Sequence, residues 1–227
     1  MKKVITFISD THTKHKQLGN DLPGGDILIH AGDFMNSGRY WEEAFPFLDW
    51  YNDLGQYDKK ILIAGNHDIL FEDEMKDIPK IMEDYPNIKY LLDQKTFVDG
   101  IKIYGSPWQP EFYDWAFNLP RNGEGLSEKW FWIPNDTDIL VTHGPPWGHL
   151  DVTPYGNMNV GCELLRLRVD EVKPKIHVFG HIHSGYGYKF HEGTHFFNVA
   201  VLGERYTYDN KPMTVEWDSE TNEIEFL

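Results

Sequence analysis

The feature that most constrains this chain is a series of short apolar runs, rich in β-branched residues, that stop on glycine, histidine or acidic residues. The runs are Val4–Ile8, Ile27–Ile29, Ile61–Ala64, Ile101–Tyr104, Ile139–Val141, Ile176–Phe179 and Phe196–Leu202. Apolar runs this short read as strands buried on both faces. Helical segments are expected between them, at Tyr40–Leu54, Glu74–Asp84 and Val160–Val172. In the last, Leu164, Leu165, Val169 and Val172 fall at helical spacing, and Lys173-Pro174 ends the run. Alternation of strand and helix predicts an α/β architecture. From Phe196 onward only strands are expected, Met213–Trp217 and Glu223–Leu227 among them, so a second or mixed sheet must accompany any parallel one. The chain has 227 residues and no internal repeat or low-complexity tract, which predicts one domain over residues 1–227.

The residues that follow five of these strands carry the chemistry. Val4–Ile8 runs into Ser9-Asp10-Thr11-His12, Ile27–Ile29 into His30-Ala31-Gly32-Asp33, and Ile61–Ala64 into Gly65-Asn66-His67-Asp68. Ile139–Val141 runs into Thr142-His143-Gly144, and Ile176–Phe179 into Gly180-His181-Ile182-His183. Ligands of open α/β sheets bind beyond the carboxyl ends of the strands. Here those ends hold carboxylates, imidazoles and one carboxamide, with glycines that let the backbone turn sharply. Any one of these pieces arises readily by chance. Together, Asp10, His12, Asp33, Asn66, His143, His181 and His183 would be costly to bury in one place without a cation.

Mixed oxygen and nitrogen donors with no thiolate suit Mn, Fe, Zn or Ni, with Mn favoured. So many ligands exceed what one tetrahedral catalytic zinc uses, and they suffice for two metals if a carboxylate bridges. His181 and His183 sit at i and i+2, so on an extended segment they would share a face and could each serve one metal.

Composition removes other classes. Twenty-one Lys and Arg against thirty-six Asp and Glu leave a formal charge of −15 and no basic block, which disfavours a polymeric nucleic acid as partner. No apolar stretch approaches the roughly 18 residues of a membrane span. The run after Met1-Lys2-Lys3 is too short for a secretory signal, and Cys162 has no second cysteine to pair with, so a cytoplasmic location is expected.

In order and content, the motifs Asp10-Thr11-His12, Gly32-Asp33, Gly65-Asn66-His67-Asp68, Thr142-His143-Gly144 and Gly180-His181-Ile182-His183 resemble the calcineurin-like metallophosphoesterase superfamily. The stretches Gly105-Ser106-Pro107-Trp108, His143-Gly144-Pro145-Pro146 and Gly180–Gly187 are similar to its small metallophosphoesterase-domain proteins, bacterial and brain-type. The resemblance implies a two-sheet β-sandwich flanked by helices. It implies that Asp10, His12, Asp33 and His183 hold one metal, that Asp33, Asn66, His143 and His181 hold the other with Asp33 bridging, and that His67 is the catalytic histidine. A water between two such metals would lose its proton near neutral pH and attack phosphorus in line.

Phosphoprotein phosphatases of this superfamily carry an Asp and two Arg where this chain has Asn36, Ser37 and Ala64. The missing Asp leaves the group that orients His67 unassigned. The missing arginines remove the bidentate clamp for a phosphomonoester dianion, which favours phosphodiesters. The expected activity is a metal-dependent phosphodiesterase on small, nucleotide-type or cyclic-nucleotide esters. A phosphomonoesterase and a nucleotide-binding protein with little activity are the alternatives. Asn36 and His149 are candidate substrate contacts, and the aromatic segment Trp108–Trp132 is expected to supply mainly core, with some members able to stack a base. His30 and His177, lying in strands, are expected to support the ligands from behind.

Overall fold

The computed structural model describes residues 1–227. The strands are β1 Lys2–Ile8, β2 Gly25–Ala31, β3 Tyr57–Ile63, β4 Ile88–Tyr90, β5 Gln94–Val98, β6 Ile101–Ser106, β7 Gln109–Pro110, β8 Asn118–Leu119, β9 Ile139–Thr142, β10 Ile176–Phe179, β11 Gly187–His191, β12 Thr194–Asn198, β13 Met213–Asp218 and β14 Glu223–Phe226. The α-helices are α1 Trp41–Asp53, α2 Ile69–Asp73, α3 Ile78–Ile81, α4 Glu124–Phe131 and α5 Glu163–Val172. One sheet has the order β14-β13-β1-β2-β3-β4 and the other β11-β12-β10-β9-β6-β5, while β7 and β8 form a separate two-stranded pair. Each large sheet is mixed. β1 to β4 run parallel with β13 antiparallel beside β1, and β6, β9, β10 and β12 run parallel with β5 and β11 antiparallel at the edges.

Strand alternation sorts the apolar side chains into three layers. Ile5, Phe7, Ile29 and Ile63 of the first sheet face Ile103, Val141, Val178 and Phe197 of the second. Their neighbours point outward: Leu28 and Leu62 pack beneath Phe47 and Tyr51 of α1. Leu140 and Phe179 pack beneath Trp130 of α4 and Leu165 of α5. A strand apolar on both faces is therefore covered on both, by the partner sheet and by a helix. Burying each such apolar side chain stabilises by roughly 1.5–3 kcal/mol. The buried polar residues inside these runs, Thr6, His177 and Asn198, have hydrogen-bond partners.

Several expected boundaries shift for physical reasons. The helix expected over Glu74–Asp84 is instead α2, which starts right behind the Asn66-His67-Asp68 motif, then α3 and a 3₁₀ turn at Met82–Asp84. Pro79 cannot donate to the preceding turn, so a continuous helix breaks there. The helix expected from Val160 begins at Glu163, where Cys162 is the N-cap and its Sγ accepts the Leu165 N–H at 3.3 Å. The run Phe196–Leu202 leaves the ladder after Asn198. Its continuation crosses to the other sheet, Ser9 N–H donating to Val199 O at 3.0 Å and Val201 N–H to Ser9 O at 3.1 Å. That crossing joins the two sheets at their carboxyl ends.

Candidate metal centre

The five motif-bearing strands, β1, β2, β3, β9 and β10, end on one edge of the two sheets, and their loops converge. Ligand atoms of Asp10, His12 and His183 lie within 4.8 Å of one another, as do those of Asp33, His143 and His181. A third group, His12, Asp33 and His67, links the two. Asp33 belongs to two of these groups and stands between them. Asn66 joins from the loop after β3, its Oδ1 2.9 Å from His143 Nε2.

Three of the four candidate imidazoles are set for Nε2 coordination. His12 Nδ1 lies 3.1 Å from Met35 O, His143 Nδ1 2.9 Å from Ala31 O, and His183 Nδ1 3.0 Å from Gly203 O. A carbonyl can only accept, so each Nδ1 carries a hydrogen and each Nε2 points toward the carboxylates, that of His143 toward Asn66 Oδ1 as well. The distances are 3.3 Å from His143 Nε2 to Asp33 Oδ2, 3.3 Å from His183 Nε2 to Asp10 Oδ1, and 3.9 and 3.8 Å from His12 Nε2 to Asp10 and Asp33. His12 Nε2 is buried with no hydrogen-bond partner. Buried carboxylates, pre-set imidazoles and an orphaned nitrogen aimed between them are the donor set that two divalent cations fit.

The electrostatics agree. Burial alone would raise the Asp10 and Asp33 carboxyls, but His183 and His143 hold them below the ordinary carboxylate range. Burial would likewise depress His143 and His183, and the adjacent carboxylates outweigh it and raise each to about 9. His12 and His181, for which burial dominates, are pushed down to about 4 and about 3. The site thus attracts positive charge strongly at two points.

The backbone is strained where it delivers these groups. Asp10, His12, Asp33 and His181 all have positive φ, at 54°, 38°, 59° and 64°. Non-glycine residues in this region cost roughly 1–3 kcal/mol each and persist where the surroundings over-determine them. A Cβ at Gly180 would collide with the Asp10 carboxylate, and one at Gly65 with that of Asp33. The extended geometry expected for His181–His183 is absent. The chain turns tightly after Gly180, Ile182 N–H donating to Gly180 O at 2.7 Å, and the turn delivers the two rings to different groups.

His67 lies beside the cluster rather than in either outer group. Its backbone N–H donates to Asp33 Oδ1 at 2.7 Å and its Nδ1 to the Asn36 carbonyl at 2.6 Å. Asp68 does not orient it. The Asp68 carboxylate is fully buried and accepts the N–H groups of Asp33, Met35 and Gly65 at 2.9, 2.9 and 2.7 Å, tying the second and third loops together. Sequence reasoning missed this role, for which adjacency to His67 is the only local signal. It also missed Tyr206, whose ring stands 4.7 Å from that of His12 and 5.2 Å from that of His183.

A cavity of about 590 Å³ opens over Asp33, Asn66, His67, His181 and His183. Phe112, Tyr113, Tyr155 and Met158 line its outer part. Neither expected substrate contact lies on its wall. His149 is fully buried, stacked on Phe196 at 3.9 Å, because its loop folds under α5 and β12 rather than into solvent. Asn36 turns its side chain to solvent and offers only its carbonyl, to His67. In the aromatic segment, Phe117 and Trp130 are core, Trp108 donates to Asp93, and Phe131 and Trp132 face solvent away from the cavity. His30 and His177 are buried behind the site, hydrogen-bonded to Thr11 and Thr142.

Known proteins resemble this chain in sequence and in fold. The human metallophosphoesterase domain-containing protein 1 is 42% identical over 95% of this chain and 71% of its own length. The protein TT1561 of Thermus thermophilus superposes with a TM-score of 0.69 at 13% identity, over all of this chain and 99% of its own. The phosphopantetheinyl hydrolase of Mycobacterium tuberculosis does so with a TM-score of 0.57 at 18% identity, over 89% and 90%. The sequence model of the calcineurin-like phosphoesterases matches residues 3–185, a span that holds every strand end just described, and the chain belongs to that family.

Proposed function

We propose that residues 1–227 form a single-domain, dinuclear metal-dependent phosphodiesterase acting on small nucleotide-type diesters, cyclic ones included. Asp10, His12, Asp33 and His183 hold one cation and Asp33, Asn66, His143 and His181 the other. Two divalent ions, Mn favoured, supply charge neutralisation at the phosphoryl oxygens and a water acidic enough to act near neutral pH. Around them, the buried Asp33 keeps both cations in register, and the Asn66 carboxamide adds a neutral donor that leaves positive charge for the substrate. His67, with Nδ1 on the Asn36 carbonyl, turns its other nitrogen to the leaving oxygen and gives it a proton or a hydrogen bond. The unpaired Cys162 supports a reducing, cytoplasmic setting.

One observation supports a diester over a monoester. Arg121 is the only Lys or Arg on the cavity wall, and its guanidinium is engaged by Glu163 at 2.6 Å and by the Gly161 and Val160 carbonyls at 2.9 and 2.6 Å. No free fork-shaped donor remains for the extra charge of a monoester. Phe112 and Tyr113 add flat apolar surface for a base. With Mn²⁺ supplied, kcat/KM should be higher for bis-nitrophenyl phosphate or a cyclic nucleotide than for nitrophenyl phosphate. A marked monoester preference across Mn²⁺, Ni²⁺ and Zn²⁺ would transfer the proposal to a phosphomonoesterase. Hydrolysis of neither would leave a nucleotide-binding protein.

A further inference from the structure

His67 lacks the carboxylate that resemblance leads one to expect behind it, and a single hydrogen bond to a carbonyl does not fix the plane of an imidazole. The plane is fixed from elsewhere. The Trp115 indole lies against the His67 ring with centroids 4.0 Å apart and planes 28° from parallel. The edge of His12 meets the same ring at 4.6 Å and 81°. The residues that follow Trp115 anchor its loop. Ala116 N–H donates to Asn66 O at 3.1 Å, and Phe117 N–H to the Glu72 carboxylate at 2.9 Å. The carbonyl that receives Nδ1 is equally well held. The Glu43 carboxylate accepts the N–H groups of Asn36, Ser37 and Gly38 at 2.8, 2.9 and 3.1 Å and the Ser37 hydroxyl at 2.6 Å.

We propose that Trp115 is a positioning residue for His67, its indole face holding the imidazole in the plane from which the outer nitrogen meets the leaving oxygen. The inference rests on the catalytic reading of His67. A group displaced by about 1 Å from its productive geometry can lose on the order of 100-fold, whereas ligand binding to the metals feels nothing. The Asn36 carbonyl sets which nitrogen carries the fixed hydrogen, and Trp115 sets the ring plane. The two constraints come from segments far apart in the chain.

The test is a double-mutant cycle on a diester with a poor leaving group, in Mn²⁺-loaded protein whose metal content is measured. Trp115→Ala should lower kcat about tenfold or more with KM changed less than twofold. Trp115→Phe, which keeps a ring at the stack, should restore most of the loss. In the His67→Ala background, Trp115→Ala should cost nothing further. Equal loss in both backgrounds, or loss carried by KM, would overturn the proposal and make Trp115 a wall of the cavity. If His67→Ala lowers turnover and Trp115→Ala does not, the Trp115 assignment alone fails. If His67→Ala keeps wild-type turnover, the catalytic reading of His67 fails and takes this one with it.

Discussion

Two sets of histidines, buried or half-buried, occupy this molecule, and they differ in their neighbours. His12, His143, His181 and His183 gather at the strand ends beside Asp10 and Asp33. His15, His149 and His177 are buried and keep unpartnered ring nitrogens, yet meet aromatic surfaces instead. His15 packs on Trp50 at 4.8 Å, His149 on Phe196 at 3.9 Å, and His177 beside Phe179 at 5.0 Å. Burial drives the second set neutral, with His15 pushed down to about 4, His149 to about 3 and His177 well below its ordinary range. Orphaned imidazole nitrogens are thus common to both regions. Carboxylates held anionic between the rings are what make one of them a place for cations.

The sharpest way to break this comparison is to remove Asp33, the carboxylate proposed to bridge the two ligand groups. Asp33→Asn keeps the shape and removes the charge. If one residue serves both cations, turnover should fall on the order of 10³-fold or more. Steady-state kinetics with saturating Mn²⁺ checks it, and activity within tenfold of wild type would place the centre elsewhere.

A smaller effect is expected where a histidine belongs to the site but to neither outer ligand group. His67→Ala should retain both metals and lose on the order of 10²-fold in kcat, the lower end of what a general acid–base group contributes. The loss should shrink as the leaving group improves, because a good leaving group needs little protonation. A leaving-group series that gives parallel lines for variant and wild type would remove the proton-donor role.

The smallest effect belongs to the aromatic-packed set and appears in stability alone. His149 has an ordinary value of 6.5 and is held near 3 in the folded protein by burial, with Lys189 and Arg166 adding to the effect. Between those values the unfolded chain binds the extra proton. The contribution of this group to stability is therefore complete above pH 6.5 and is lost as pH falls toward 3, at up to about 1.4 kcal/mol per pH unit. His149→Phe should leave kcat unchanged and flatten the fall in urea midpoint through that window. An identical pH dependence in variant and wild type would show that His149 does not titrate with unfolding.

The legibility of this fold in its sequence follows the same division. Runs such as Ile139–Val141 and Ile176–Phe179 are apolar on both faces because a sheet and a helix cover them, and that pattern is visible locally. The candidate ligands are visible because each closes such a run. Edge strands β4, β5 and β11 carry polar alternation that blends into loops, and α4 has too few apolar residues to announce itself. The environment of His149 and the partners of His67 are not visible either. The contact of Phe117 with Glu72 spans 45 residues and that of Trp115 with His67 spans a similar stretch, and no local pattern encodes such pairs. His181 and His183 do meet at the site, but through a tight turn with positive φ at His181 rather than the extended segment their spacing suggests.

If Asp33 makes one centre of two ligand groups, metal binding shows it most directly. The measurement is the metal content and binding isotherm of wild-type protein and Asp33→Asn, each stripped by chelator and titrated with Mn²⁺, with His149→Phe as the packed-histidine reference. Two ions per chain in wild type and in His149→Phe, with both sites weakened together in Asp33→Asn, is the predicted result. Two undiminished sites in Asp33→Asn, or loss of one site with the other untouched, would contradict it.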